Sequence, residues 1–191
     1  TINDAGRIFR VAPAGHAYVV PAYDYQTPVG AVQALRSPNL SARYRAWTAL
    51  VGMQTHARAE LESMAADPNP RFRARALWVL AAIGDGAARA IKMALRDEAE
   101  DVRLLALRIA RRHRLPVEPV VRRLVRDDSA LVRRECAVSL HRLDSPQSVQ
   151  LWVKLALQHD GNDRWYLEAL GIGEVGKEAA CLDAWLENAG D

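Results

Sequence analysis

Asp67-Pro68-Asn69-Pro70-Arg71-Phe72-Arg73-Ala74-Arg75-Ala76-Leu77 decides how this chain folds, because its skeleton returns along the sequence. Arg43, Arg73, Arg103 and Arg133 stand 30 residues apart, and Arg164 follows after 31. Asp67, Asp97 and Asp127 keep the same interval, each six residues before its arginine. Ala46, Ala76 and Ala106 sit three residues after theirs, with Cys136 in the matching place. Self-similarity at a fixed period of this length is the signature of a repeat architecture.

Each unit reads as helix, short polar turn, helix. In the second unit Ala57 to Ala66 carries Leu61 and Met64 as apolar positions. Asp67-Pro68-Asn69-Pro70 breaks that helix, since proline cannot continue one and disfavours helical geometry just before it. Pro70 then opens the next helix, where its missing N–H costs nothing. Phe72, Ala76, Val79, Leu80 and Ile83 recur at helical spacing as one apolar stripe. Gly84 and Gly86 close the unit, and Gly161, Gly171 and Gly173 punctuate later ones.

A hairpin of two such helices cannot bury its stripes alone, so neighbours must stack into a single running core. The repeated Asp is expected to cap the second helix. The repeated Arg is expected to reach a neighbouring unit's Asp or helix-end carbonyls, making a structural ladder, not a phosphate-binding row. The expected fold is an all-α, right-handed α–α superhelix of about five hairpins with a terminal helix near residues 176–188. Cys136, at an alanine position, is expected to be a small buried hydrophobe.

The beat of Asp, then Val-Arg, then Ala, then Leu resembles the HEAT-repeat family in its short bacterial form, over roughly residues 27–188. That resemblance implies a solenoid that holds or binds other macromolecules, though such folds serve many roles.

Residues 1–26 do not follow the beat. Gly6-Arg7-Ile8-Phe9-Arg10-Val11 alternates as a half-buried strand would, and Ala17-Tyr18-Val19-Val20 is a second strand-like run after the Pro13-Ala14-Gly15 turn. Thr27 and Pro28 read as the cap and first position of the first repeat helix. The division expected is therefore a short β-containing segment with its linker, 1–26, and a solenoid, 27–191. The run from Gly6 to Pro13 and on through the first repeat resembles a junction in bacterial membrane-bound dehydrogenase-like proteins. There a β-propeller, similar to sugar-dehydrogenase propellers, precedes HEAT repeats and a cytochrome c domain. The resemblance implies an exported location and a spacer role. It supplies no cofactor here, because the chain has no Cys-x-x-Cys-His for heme and none of the propeller's substrate residues.

Composition is ordinary for a globular domain, and no apolar run approaches the roughly 20 residues of a membrane-spanning helix. The net charge of +3 is uneven. Residues 1–143 carry 23 Lys/Arg against 14 Asp/Glu, and residues 144–191 carry 3 against 9. Two solvated faces would account for this; so would steering of an acidic partner or head-to-tail contact. Two cysteines make no disulfide scaffold.

No pattern of catalysis emerges. The five histidines are scattered without metal-ligand spacing. Gly171-Ile172-Gly173-Glu174-Val175-Gly176 imitates a dinucleotide loop, but it joins two predicted helices where the fingerprint needs a strand. What remains is a surface. Positions one, five and eight after each repeated Arg share one stripe of the second helix, and they mix aromatic residues with arginine, types enriched at binding hot spots. Tyr44, Trp78, Arg108, Arg111, Arg134 and Trp165 are the candidate contacts for a protein partner, another domain or a separate chain; aromatics filling a tightly curved inner layer is the competing reading. The arginines between 108 and 134 also raise a nucleic-acid module as an alternative. Asp97, Glu98, Glu100, Asp101, Asp127 and Asp128 flank them and argue against it.

Overall fold

The computed structural model describes residues 11, 13–15 and 19–189. Five helical hairpins and a last helix follow one another. They are α1 (Pro28–Leu35) with α2 (Leu40–Met53), α3 (Arg58–Met64) with α4 (Pro70–Ala81), α5 (Gly86–Ala94) with α6 (Glu100–Arg112), α7 (Glu118–Leu124) with α8 (Ala130–Ser139), α9 (Pro146–Ala156) with α10 (Arg164–Glu174), and finally α11 (Glu178–Asn188). A short 3₁₀ turn, Gln54–Ala57, leads into α3. The chain is all-α among the described residues, a HEAT-like solenoid. The strand reading of Gly6 to Arg10, and of Ala17 and Tyr18, falls outside those residues. Val19 and Val20 are described and lie in no strand.

Local chemistry sets the helix starts, though not with the residue expected. Asn39 accepts the N–H groups of Ser41 and Ala42, Asn69 that of Arg71, Ser129 that of Val132 and Asp163 that of Tyr166. Thr27 accepts the N–H of Gly30 with Pro28 at the first helical position, as its sequence suggests. The repeated Asp is not the cap. Asp67, Asp97 and Asp127 lie two residues earlier and accept the N–H of Asn69, Ala99 and Ser129 at 2.8, 2.9 and 2.9 Å. Each carboxylate therefore ties the turn; Asn69 and Ser129 then cap their helices, while Ala99 gives α6 no side-chain cap.

One core runs the length of the array. Ala46, Ala76, Ala106 and Cys136 are all fully buried, so the small-residue column marks where second helices approach closely. Burial pushes the Cys136 thiol well above its ordinary range, as befits an inert filler. Gly173 extends the same logic, since a Cβ there would stand 2.5 Å from the Ala137 carbonyl oxygen of α8. Gly173 thus serves helix packing and Gly176, with φ +86°, the turn out of α10, while Gly171 faces open space. Several buried polar groups find partners in backbone carbonyls, whereas the Nε atoms of Arg36, Arg58 and Arg133 have none. Trp152 Nε1 donates to the Leu170 carbonyl at 2.8 Å, and the Tyr166 hydroxyl donates to that of Leu155 at 3.0 Å. Lys177, buried between α8 and α10, donates to the carbonyls of Leu140 and Gly173 at 2.9 and 2.6 Å.

The helices form two layers. Second helices α4, α6, α8 and α10 pack closely on one another, whereas α5 approaches neither α3 nor α7 closely. Around α4 to α8 the second-helix layer is therefore the tighter, inner side of the curve with α5 and α7 outside, while at the carboxyl end α9 and α11 also pack closely.

Candidate interaction surface

Three side-chain systems occupy the array: a ladder inside the turns, an aromatic and charged column on the inner layer, and a basic stripe on the outer one.

The ladder comes from the repeated Arg and Asp. Arg73 Nε and one terminal nitrogen donate to both oxygens of Asp97 at 2.8 and 2.7 Å, and Arg103 grips Asp127 likewise at 2.7 and 2.8 Å. The other terminal nitrogen of each arginine reaches back to its own unit's turn. Arg73 donates to the carbonyls of Asp67 and Pro68, and Arg103 to those of Asp97 and Glu98. One guanidinium thereby fastens two consecutive turns, a bidentate use that lysine's single ammonium does not offer. These pairs are enclosed, with Arg73 and Asp97 side chains 8% and 10% exposed. The Arg103 guanidinium holds the Asp127 carboxyl below the usual carboxylate range despite burial. Burial works to raise Asp97, but Arg73 and the Ala99 N–H outweigh it and leave that carboxyl lowered too.

At the ends the ladder changes partners. Asp67 is taken by Arg36 from α1's end, while Arg43 bonds only carbonyls, those of Ser37 and Pro38. No Asp follows Arg133 at the right interval; Leu157 stands there, and the Arg133 guanidinium instead lies 5.7 Å from the centre of the Tyr166 ring. Arg43, Arg73, Arg103 and Arg133 are therefore structural, as their spacing implies, whereas Arg164 is 83% exposed, pairs only with Glu168 of its own helix and lies outside the ladder.

The inner column holds the six candidate contacts. Tyr44, Trp78 and Trp165 are 67%, 39% and 70% exposed, and Trp78 is the single large hydrophobic residue exposed anywhere from Gln54 to Ala156. Arg108, Arg111 and Arg134 sit on the same face but are not free cations. Arg108 and Arg111 share Glu135 of the next second helix at 3.5 and 2.9 Å, and Arg134 lies 3.8 Å from Asp163. Sequence spacing placed these residues on one stripe; it gave no sign of Glu135, one residue off the stripe, which ties α6 to α8. Other stripe positions are core: Ala81, Leu104 and Ala169 are buried. Between α8 and α10 the column opens into a depression of about 450 Å³ floored by Val138, Ala169 and Ile172 and walled by Trp165 and Arg134. At the amino-terminal end Tyr25 lies beneath the Arg45 guanidinium, 4.3 Å from its ring centre, beside Tyr44.

Among the described residues no cluster of His, Cys, Asp or Glu is placed to hold a metal ion, and no helix is long and apolar enough to cross a membrane. The curated proteins contain no match to the chain. Residues 29–107 match the model of a family described as HEAT repeats. That span runs from α1 into α6, and the same hairpin, ladder and small-residue column continue beyond it. The match covers residues 29–107, and the described residues on either side of its end continue one all-α, HEAT-like solenoid.

Proposed function

We propose that the chain is a non-catalytic interaction scaffold whose inner, second-helix face holds a segment of protein, supplied either by a neighbouring domain of the same polypeptide or by a separate chain. The observation that carries this reading is the placement of Tyr44, Trp78 and Trp165. Large aromatic surface is left in water on the concave layer, while the middle of the array hides its other large apolar side chains. Exposed aromatics beside arginines are what a protein partner buries at its energetic centre. The ion pairs of Arg108, Arg111 and Arg134 keep their heads oriented along the face, so a partner's carboxylate or carbonyl meets arginines already in position. HEAT repeats commonly serve as such scaffolds. The spacer role implied by the dehydrogenase-like resemblance is the version in which the occupant is a domain of the same polypeptide.

A photo-crosslinking amino acid at Trp78 or Trp165, with exposed Ser63 of α3 as control, tests this in the full-length protein within its own cells. The proposal expects peptide adducts at the two inner positions, reduced when Arg108 is also changed to Ala. Equal labelling at all three positions, or none at the inner two, sinks it.

A further inference from the structure

The arginine-rich run that the sequence presents as one cluster is split by the fold. Arg108 and Arg111 belong to α6 on the inner layer and share Glu135. Arg122 and Arg123 stand on α7, with Arg126 just beyond its end, all exposed, while Val120, Val121, Leu124 and Val125 of the same stretch face the core. On the neighbouring outer helices Arg89, Lys92 and Arg96 of α5 and its end, and Lys154 of α9, are exposed in the same way. The outer layer from α5 to α9 therefore carries seven cations.

Several of the acids near this stripe are engaged elsewhere, while Glu100, Asp101 and Asp128 are exposed and enter no ion pair. Asp97 and Asp127 are held by Arg73 and Arg103 inside the ladder, and Glu98 lies 3.6 Å from Arg73. Glu135 is taken on the other face, and Glu118 accepts a hydrogen bond from the Ser145 hydroxyl. Glu62 pairs with Arg89 at 3.2 Å. Lys92, Arg96, Arg122, Arg123, Arg126 and Lys154 take part in none of the ion pairs among the described residues. Of the six flanking carboxylates, Asp97 and Asp127 are held inside the ladder and Glu98 lies near Arg73, and none of the six pairs with Lys92, Arg96, Arg122, Arg123, Arg126 or Lys154.

We infer that the outer face from α5 to α9 is a binding surface for the phosphate backbone of double-stranded nucleic acid, separate from the inner face proposed above. Three features select that occupant. Arginine outnumbers lysine five to two in the stripe, and its planar fork suits phosphate oxygens. No tryptophan, tyrosine or phenylalanine lies on the outer faces of α5, α7 and α9 to stack unpaired bases or wedge into a bilayer; Trp152 of α9 is in the core. The same lack of aromatic anchors distinguishes this face from the inner one and from protein interfaces in general. Arg122 and Lys154 also border one shallow depression of about 310 Å³ between α7 and α9, with Gln147 and Gln150 beside them as neutral donors. Contacts of this kind position a duplex without reading its sequence.

Fluorescence anisotropy with a 20-base-pair DNA of arbitrary sequence, titrated from 50 to 200 mM salt, tests the inference. Binding at low salt is expected to weaken steeply, with a log–log slope of about −4 to −6 if most of the seven cations meet phosphates at about 0.9 per contact. Arg122→Gln, Arg123→Gln and Arg126→Gln combined are expected to weaken binding at 50 mM salt at least tenfold and to flatten the slope by about 2 to 3. All three side chains are exposed, and an unchanged helical circular-dichroism spectrum confirms that the variant is folded. Arg108→Gln with Arg111→Gln, on the inner layer, is expected to leave both affinity and slope in place. No binding at 50 mM salt overturns the inference. So does an equal loss in the inner-face variant, tighter binding of a single strand than of the duplex, or tighter binding of vesicles with 30% anionic lipid.

Discussion

Cutting one rung of the ladder tests how the turns are held together. Arg73→Ala removes four hydrogen bonds, two to Asp97 and two to the carbonyls of Asp67 and Pro68. It also leaves the Asp97 carboxylate, 10% exposed, with the Ala99 N–H as its one remaining hydrogen-bond partner among the described residues. Breaking a charged pair this enclosed by removing one member costs about 3 kcal/mol, well above the 0 to 1 kcal/mol of a surface pair. With a urea dependence of about 2.5 kcal/mol per molar, the unfolding midpoint is expected to fall by roughly 1 M. Arg73→Lys keeps the charge but loses the fork and is expected to recover less than half of that. Asp97→Asn completes a double-mutant cycle with a coupling of about 1 to 2 kcal/mol. The sign of the pH effect follows from the direction of the shift. Asp97 has a lower pKa folded than unfolded, so its contribution is present above the ordinary carboxylate value of about 4 and is lost as pH falls through the folded value. The gap between wild type and Arg73→Ala should therefore narrow below about pH 4. Single variants that each cost under 0.5 kcal/mol, with no coupling, refute the ladder as a structural device.

Other perturbations probe the packing and the face. Gly173→Ala should destabilise by about 1 to 3 kcal/mol in thermal unfolding, because the added methyl meets the Ala137 carbonyl oxygen. Lys177→Met should cost about 1 to 3 kcal/mol by stranding the carbonyls of Leu140 and Gly173, even though the side chain lies in no ligand site. Asn69→Ala should cost about 1 kcal/mol through loss of the α4 cap, whereas Pro68→Ala, outside the helix, should cost less. Trp78→Ala with Arg108→Ala should leave the protein folded, though with a lower melting temperature because Trp78 is only 39% exposed, while removing the crosslinks expected at Trp165.

The fold was legible because its information is periodic. Thirty-residue spacing fixes the hairpins, and the position of Ala46, Ala76, Ala106 and Cys136 names the close-packed column before any coordinates. The ladder was legible for the same reason, since Arg and Asp recur together. Helix capping was not, because the capping column changes identity from Asn39 and Asn69 to Ala99, Ser129 and Asp163, and the constant Asp drew the eye two residues too early. The inner face was half legible. Helical geometry gathers Tyr44, Trp78, Arg108 and Trp165 on one stripe, but the cross-helix pairing of Arg108 and Arg111 with Glu135 depends on how neighbouring helices rotate against each other. The outer stripe was legible only in part: the sequence shows Arg122, Arg123 and Arg126 as one cluster with Arg108 and Arg111, but adjacency merges arginines that the hairpin sends to opposite layers, and nothing local shows which acids are already taken.

The central claim is that equivalent positions of successive hairpins stack at a constant step. Spin labels on the outer helices measure that step by pulsed electron resonance, in a background where buried Cys136 and Cys181 are replaced by Ala. With helices about 10 Å apart, labels at Ser63 and Arg123, two units apart, should give a narrow distribution near 20 Å, and labels at Ser63 and Lys154, three units apart, one near 30 Å, each widened by a few ångströms through curvature. Broad distributions, or a three-unit distance no longer than the two-unit one, would contradict the stacked array.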